Sequence, residues 1–129
     1  MPLLKQLNPN FEVQVKVSFV EAESSPESRQ YFFAYKVRIT NKGSSTAQLM
    51  SRHWIITDAH GQVEEVRGAG VVGAQPKIQA GHSFEYESGC PLPTSCGTMR
   101  GHYQMVSDSG ESFEIEIPEF YLIAPSALH

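Results

Sequence analysis

The chain has 129 residues, of which 40% are apolar and 19% charged, and its net charge is −4. It has the size of one globular domain spanning 1–129, able to bury about two-thirds of its unfolded surface without a metal or disulfide. The 10 Lys and Arg are scattered among 14 Asp and Glu, which argues against a nucleic-acid groove or a membrane-surface site, since both need clustered cations. No stretch approaches the ~18 apolar residues of a membrane span. Met1–Pro9 lacks the apolar core of a signal peptide. The expected location is therefore the cytoplasm, with Cys90 and Cys96 reduced.

Period-two alternation dominates the chain. From Phe11 to Phe19 every odd position is apolar and every even one polar, which predicts a strand with one buried face. Tyr31–Ile39 repeats the pattern, with Tyr31, Phe33, Tyr35, Val37 and Ile39 inward and Lys36 and Arg38 outward. A third run, Ala47–Thr57, changes parity between Leu49 and Trp54, so a β-bulge is expected near Ser51–His53. Further strands read at 62–67, 82–87, 98–106 and 112–117. Gly and Asx clusters at 41–44, 58–61, 80–81 and 107–110 supply the turns. No window carries a helical period, and 8 Pro with 10 Gly point the same way. The predicted fold is all-β: an antiparallel immunoglobulin- or fibronectin type III-like sandwich of seven to eight strands with Trp54 on a central strand.

Several segments in order carry a family resemblance. Ser51–Asp58, Val66–Pro76, Ser88-Gly89 and Gly97–Val106, with Ala34-Tyr35 and the ending Ile117-Pro118 and Ala124-Pro125, together resemble the bacterial ApaG family. The likeness implies a fibronectin type III-like sandwich and a link to cobalt and magnesium tolerance. Related domains in eukaryotic F-box and polymerase-interacting proteins look like adaptors. The chain departs from the family pattern at Ala69, where an acidic residue is common, and at Ser95, where Pro is common. The first departure removes a carboxylate from that loop.

Gly68, Gly70 and Gly73 form a GxGxxG pattern, but Ala74-Gln-Pro-Lys77 follows it, so no helix opens to complete a dinucleotide site. Two readings stay open. The glycines can let successive amides form an anion nest beside Arg67 or Lys77, or they can supply positive φ to a connection along the sandwich edge. His53 and His102 could meet across neighbouring strands, yet no histidine pair has metal-ligand spacing, and no metal or other cofactor is expected. Cys90-Pro-Leu-Pro-Thr-Ser-Cys96 has neither redox nor zinc spacing and reads as two reduced thiols in a Pro-rich loop. Glu119–Pro125 is unusually apolar. It reads as a last strand or tail packed on the sandwich, or as an edge that pairs with a partner or a second copy.

No catalytic constellation is evident. The expected function is a non-catalytic protein-binding module connected with divalent-cation homeostasis, with Gly68, Gly70, Gly73, Arg67, Arg52 and His53 as its recognition surface. The alternatives are a sensor or carrier of phosphate-type anions at the Gly68–Gly73 loop and, below that, a phosphoanhydride hydrolase, which would need a metal clamp or a positioned base.

Overall fold

A computed structural model describes residues 10–128. The N-terminal segment read above for a signal peptide lies outside them, as does His129. Eight strands follow one another: β1 Phe11–Phe19, β2 Tyr31–Asn41, β3 Ala47–Asp58, β4 Val63–Ala69, β5 Lys77–Ile78, β6 Ser83–Leu92, β7 Cys96–Ser107 and β8 Ser112–Ile123. Three short 3-10 turns, at Glu21–Glu23, Pro26–Ser28 and Pro125–Leu128, complete the regular structure, and the described residues contain no α-helix.

The strands form two antiparallel sheets. The smaller has the order β1-β2-β6. The larger runs β4-β3-β7-β8, with β5 pairing onto β3. Alternation places one row of each sheet in the shared core. Phe33, Val37 and Ile39 of β2 face Leu49 and Trp54 of β3, Met99, Tyr103 and Met105 of β7, and Ile115 and Ile117 of β8, all nearly inaccessible to solvent. Trp54 is a hub of this core: its ring lies 5.3 Å from Tyr35, 5.9 Å from Phe120 and 6.4 Å from Tyr103, each edge-on. Edge-to-face packing suits the aromatic quadrupole and adds to the area each ring buries.

The small sheet is regular. β1 pairs with β2 from Phe11↔Asn41 to Phe19↔Phe33 without a break, and β2 pairs with β6 from Tyr31↔Leu92 to Thr40↔Ser83. The large sheet carries two bulges. One lies between Leu49 and Ser51, at Met50, just before the segment where the parity change placed it. It rotates β3 so that Arg52, Trp54 and Ile56 share the inner row begun by Ala47 and Leu49. The other sets β8 residues Pro118 and Glu119 opposite Arg100 of β7. Pro118 has no N–H to give a ladder, so an edge strand at a bulge is where it fits.

Two expected strands run longer than read, one of them correcting the Pro-rich loop, and one strand is new. The segment 88–92 continues β6, so Cys90 and Cys96 sit on strands β6 and β7, and only Pro93–Ser95 connects them. Gly89 and Pro91 hid the strand because both are uncommon in one. Glu119–Ile123 belongs to β8, with Leu122 and Ala124 buried and Ala124 N–H donating to Ser95 O at 2.8 Å. It therefore docks on its own sheet while Tyr121 and Ile123 stay exposed. The two-residue β5 gave too short a pattern to be read as a strand.

The two open sides of the sandwich differ. Phe11 and Phe113 close the β1/β8 side, their rings 5.6 Å apart. On the other side, β4 and β6 leave a cleft between the sheets.

Candidate functional site

The glycine-rich segment is an excursion from one edge of β3. β4 pairs with β3 as far as Ala69↔Ser51, and β5 resumes the same edge at Lys77↔Gln48 and Ile78↔Ala47. The seven residues between loop outward. Gly70 N–H donates to Met50 O at 2.8 Å, and Leu49 N–H to Pro76 O at 3.0 Å, which pins both feet of the loop. Its tip is a two-residue turn closed by mutual Val71–Ala74 bonds of 2.8 and 2.9 Å. Val72 (φ 47°) and Gly73 (φ 77°) both take the left-handed region, the signature of a type I′ turn.

Each glycine has its own reason. At Gly68 a Cβ would meet the Arg52 guanidinium at 2.9 Å, so hydrogen alone lets Arg52 cross the strand. Arg52 Nη1 then donates to Ala69 O at 3.2 Å and Gly70 O at 2.8 Å, clamping the loop. Gly70 combines φ +62° with a Cβ position 2.3 Å from Ala74 O. Gly73 meets nothing within 4 Å and answers only to the turn. Val71 is 1% exposed and anchors the loop in the core, whereas Val72 stands 66% exposed at the tip. A β-branched side chain in the left-handed region is strained, and asparagine or glycine would fit the turn better.

These bonds bear on the anion nest. Gly70, Val71 and Ala74 N–H are already committed to backbone carbonyls, so a phosphate at the loop would draw chiefly on side chains. The side chains that gather are those of the adjacent outer face. His53 lies opposite Arg67 on β4 and opposite His102 on β7. The two imidazoles meet edge-on with centroids 4.9 Å apart, fulfilling the cross-strand encounter the sequence suggested. They border a depression of about 330 Å³ together with Ser51, Arg67 and Gln104, to whose lining Arg52 of the inner row and Gly68 also contribute. His53 Nε2 contacts Glu65 Oε1 at 2.7 Å, and His102 Nε2 contacts Glu114 Oε2 at 3.3 Å. Those carboxylates lie on strands β4 and β8, to opposite sides of the pair, so the two Nε2 atoms turn away from each other. The hydrogen bond from His53 holds the Glu65 carboxyl below its usual range, and Arg67 at 3.4 Å adds to the effect.

The six residues singled out in the sequence fall into three groups. Arg67 and His53 share the outer face beside Gly68. Arg52 points to the inner face and serves the loop from below, as alternation dictates for His53's neighbour. Gly70 and Gly73 lie in the loop itself. His102, Ser51 and Gln104 were not included, although the pairing of two histidine-bearing strands was the available signal. Cys90 is buried, and burial, with Glu64 adding, pushes its thiol up to about 11, which disfavours the thiolate at neutral pH. Among the described residues, no three His, Cys, Asp or Glu side chains group to hold a metal ion.

The comparisons agree with this architecture. The family model described as ApaG domain matches residues 21–107. A protein named Protein ApaG from Bdellovibrio bacteriovorus is 64% identical over 121 residues, which cover 94% of this chain and 95% of that one. Another Protein ApaG, from Dechloromonas aromatica, is 56% identical over 118 residues, 92% of this chain and 93% of its own. A crystal structure of an ApaA protein from Bordetella pertussis superposes with a TM-score of 0.88 at 54% identity, covering 93% of this chain and 98% of that one. The chain belongs to the ApaG family.

Proposed function

We propose that the chain is a non-catalytic binding module whose recognition surface is the β4–β5 edge, with the glycine-rich loop at its centre and Arg67 and His53 beside it. The observation that carries this is Val72. The protein holds an apolar, strained residue 66% exposed at the tip of a loop clamped by Arg52 and Val71. Strain kept at an exposed position points to recognition, because a more comfortable residue there would cost the fold nothing. A clamped loop also loses little conformational entropy on binding. The partner in this reading is a cytoplasmic protein, and the connection with divalent cations runs through that partner.

The test is site-specific photocrosslinking in cells. A crosslinker at position 72 should give a discrete adduct, and Arg67→Glu should reduce its yield. The same crosslinker at Lys16, exposed on β1 of the small sheet, should give none. Adducts from position 16 alone would place recognition on the other sheet.

A second reading, a sensor of phosphate-type anions, is favoured by the side chains of the 330 Å³ depression. Calorimetry with pyrophosphate on the wild type and Arg67→Gln tests it, since Arg67 is exposed and outside the loop clamp. Gly70→Asp would not serve, because its side chain would collide with Ala74 O whatever its charge.

A further inference from the structure

The cleft between β4 and β6 lies on the inner side of the same edge and has a volume of about 270 Å³. That is about nine waters' worth of liquid, near the lower end of ligand-site sizes. Its floor is apolar, made by Trp54, Ile56, Val66 and Met99. Its polar lining includes Arg52 and Ser88, the latter opposite Tyr35 in the β2–β6 pairing. Arg52 uses Nη1 on the two loop carbonyls. A guanidinium carries five donors, so its orientation is fixed while Nε and Nη2 keep theirs. Arg52 is half-buried, with its guanidinium packed over Gly68.

We propose that this cleft binds a small carboxylate with a short apolar chain, its head on Arg52 and Ser88 and its tail over Trp54 and Met99. The pairing fixes the direction. Arg52 lies opposite Gly68, and Glu64 lies opposite Ile56. The backbone positions that carry the cleft's cation and carboxylate are therefore four residues apart along β3, or about 13 Å at strand rise. An anionic head is attracted to the Arg52 end and repelled from the Glu64 end. A fixed, partly desolvated guanidinium binds a carboxylate through charge-assisted hydrogen bonds, and the apolar floor gains from covering an alkyl chain. Nothing in this inference depends on the protein partner proposed above.

Trp54 is the chain's one tryptophan, so its fluorescence reads the cleft directly. Hexanoate titrated into the full chain should change Trp54 emission saturably, and hexylammonium should bind about tenfold more weakly. Arg52→Gln should weaken hexanoate by a similar factor. Because that change also loosens the loop clamp, Val66→Phe is the companion: it fills the cleft from the edge strand and should abolish the response while the protein stays folded. A flat wild-type titration, equal affinity for hexylammonium, or an unchanged response in folded Val66→Phe would each overturn the proposal.

Discussion

The two sheets are built differently, and the difference separates holding the fold from presenting a surface. In the small sheet, nineteen consecutive cross-strand pairs join β1, β2 and β6 without a shift. Its outer face is polar, with Lys36 and Arg38 contacting Glu85 at 3.5 and 2.8 Å. Such exposed pairs add little stability but keep the face soluble. The large sheet has two bulges and a seven-residue excursion from β3. Bulges re-aim side chains. Here the one at Met50 places Arg52 under the loop and His53 beside His102. Regular pairing makes a wall, while irregular pairing makes a site.

The largest effect expected from breaking this contrast is in the wall. Phe33 is fully buried on β2, and Phe33→Ala should cost about 3–5 kcal/mol through lost burial and the cavity left behind. Chemical denaturation reads this as a lower midpoint. Below that midpoint, crosslinking from position 72 should persist.

Asn41 lies at the junction of the two regions and is the buried polar residue of the described core. Its Nδ2 donates to Ser45 O at 2.8 Å and Ile78 O at 2.9 Å, and its Oδ1 accepts from Gly43 N–H at 2.9 Å. Asn41→Ala orphans these groups and should cost about 1–3 kcal/mol. Because Ile78 anchors β5, amide exchange should rise at 77–78 more than in β1.

The site should respond with the opposite sign. Val72→Asn creates the Asn-Gly pair that a type I′ turn favours, and it should stabilise the protein by about 1 kcal/mol through relief of left-handed strain. The smallest effect concerns pH. The Glu65 carboxyl is held below its usual range chiefly by His53. Its contribution is therefore complete above the ordinary Glu range and is lost as pH falls through the depressed folded value. Glu65→Gln should remove that contribution, lowering neutral stability slightly and flattening the loss of stability as pH falls below the ordinary Glu range.

Legibility in the sequence follows the same division. Alternation in Phe11–Phe19 and Tyr31–Ile39 declares strands and inner rows, because period two maps one-to-one onto a half-buried sheet. The parity change in β3 revealed its bulge to within a few residues. The glycine pattern marked a special backbone but not its purpose: GxGxxG is silent on whether amides are free or committed, and hydrogen bonds decide that. Arg52 and His53 are adjacent in the chain and face opposite sides of the sheet, so naming them together could not say that one clamps and the other is displayed. Residues 88–92 were lost to Gly89 and Pro91. Gly89 is explained by Phe32, whose ring would lie 2.3 Å from a Cβ there, a contact between strands that no local pattern encodes.

The most direct test of the central claim combines two readings on one variant, Val72→Asn: thermal stability, and adduct yield from a crosslinker carried at position 77, exposed at the foot of the loop. If Val72 is kept for recognition, the variant should unfold at a higher temperature and lose the adduct. A variant that is no more stable than the wild type, or that keeps the full adduct, would contradict the claim that the loop holds a strained side chain out for a partner.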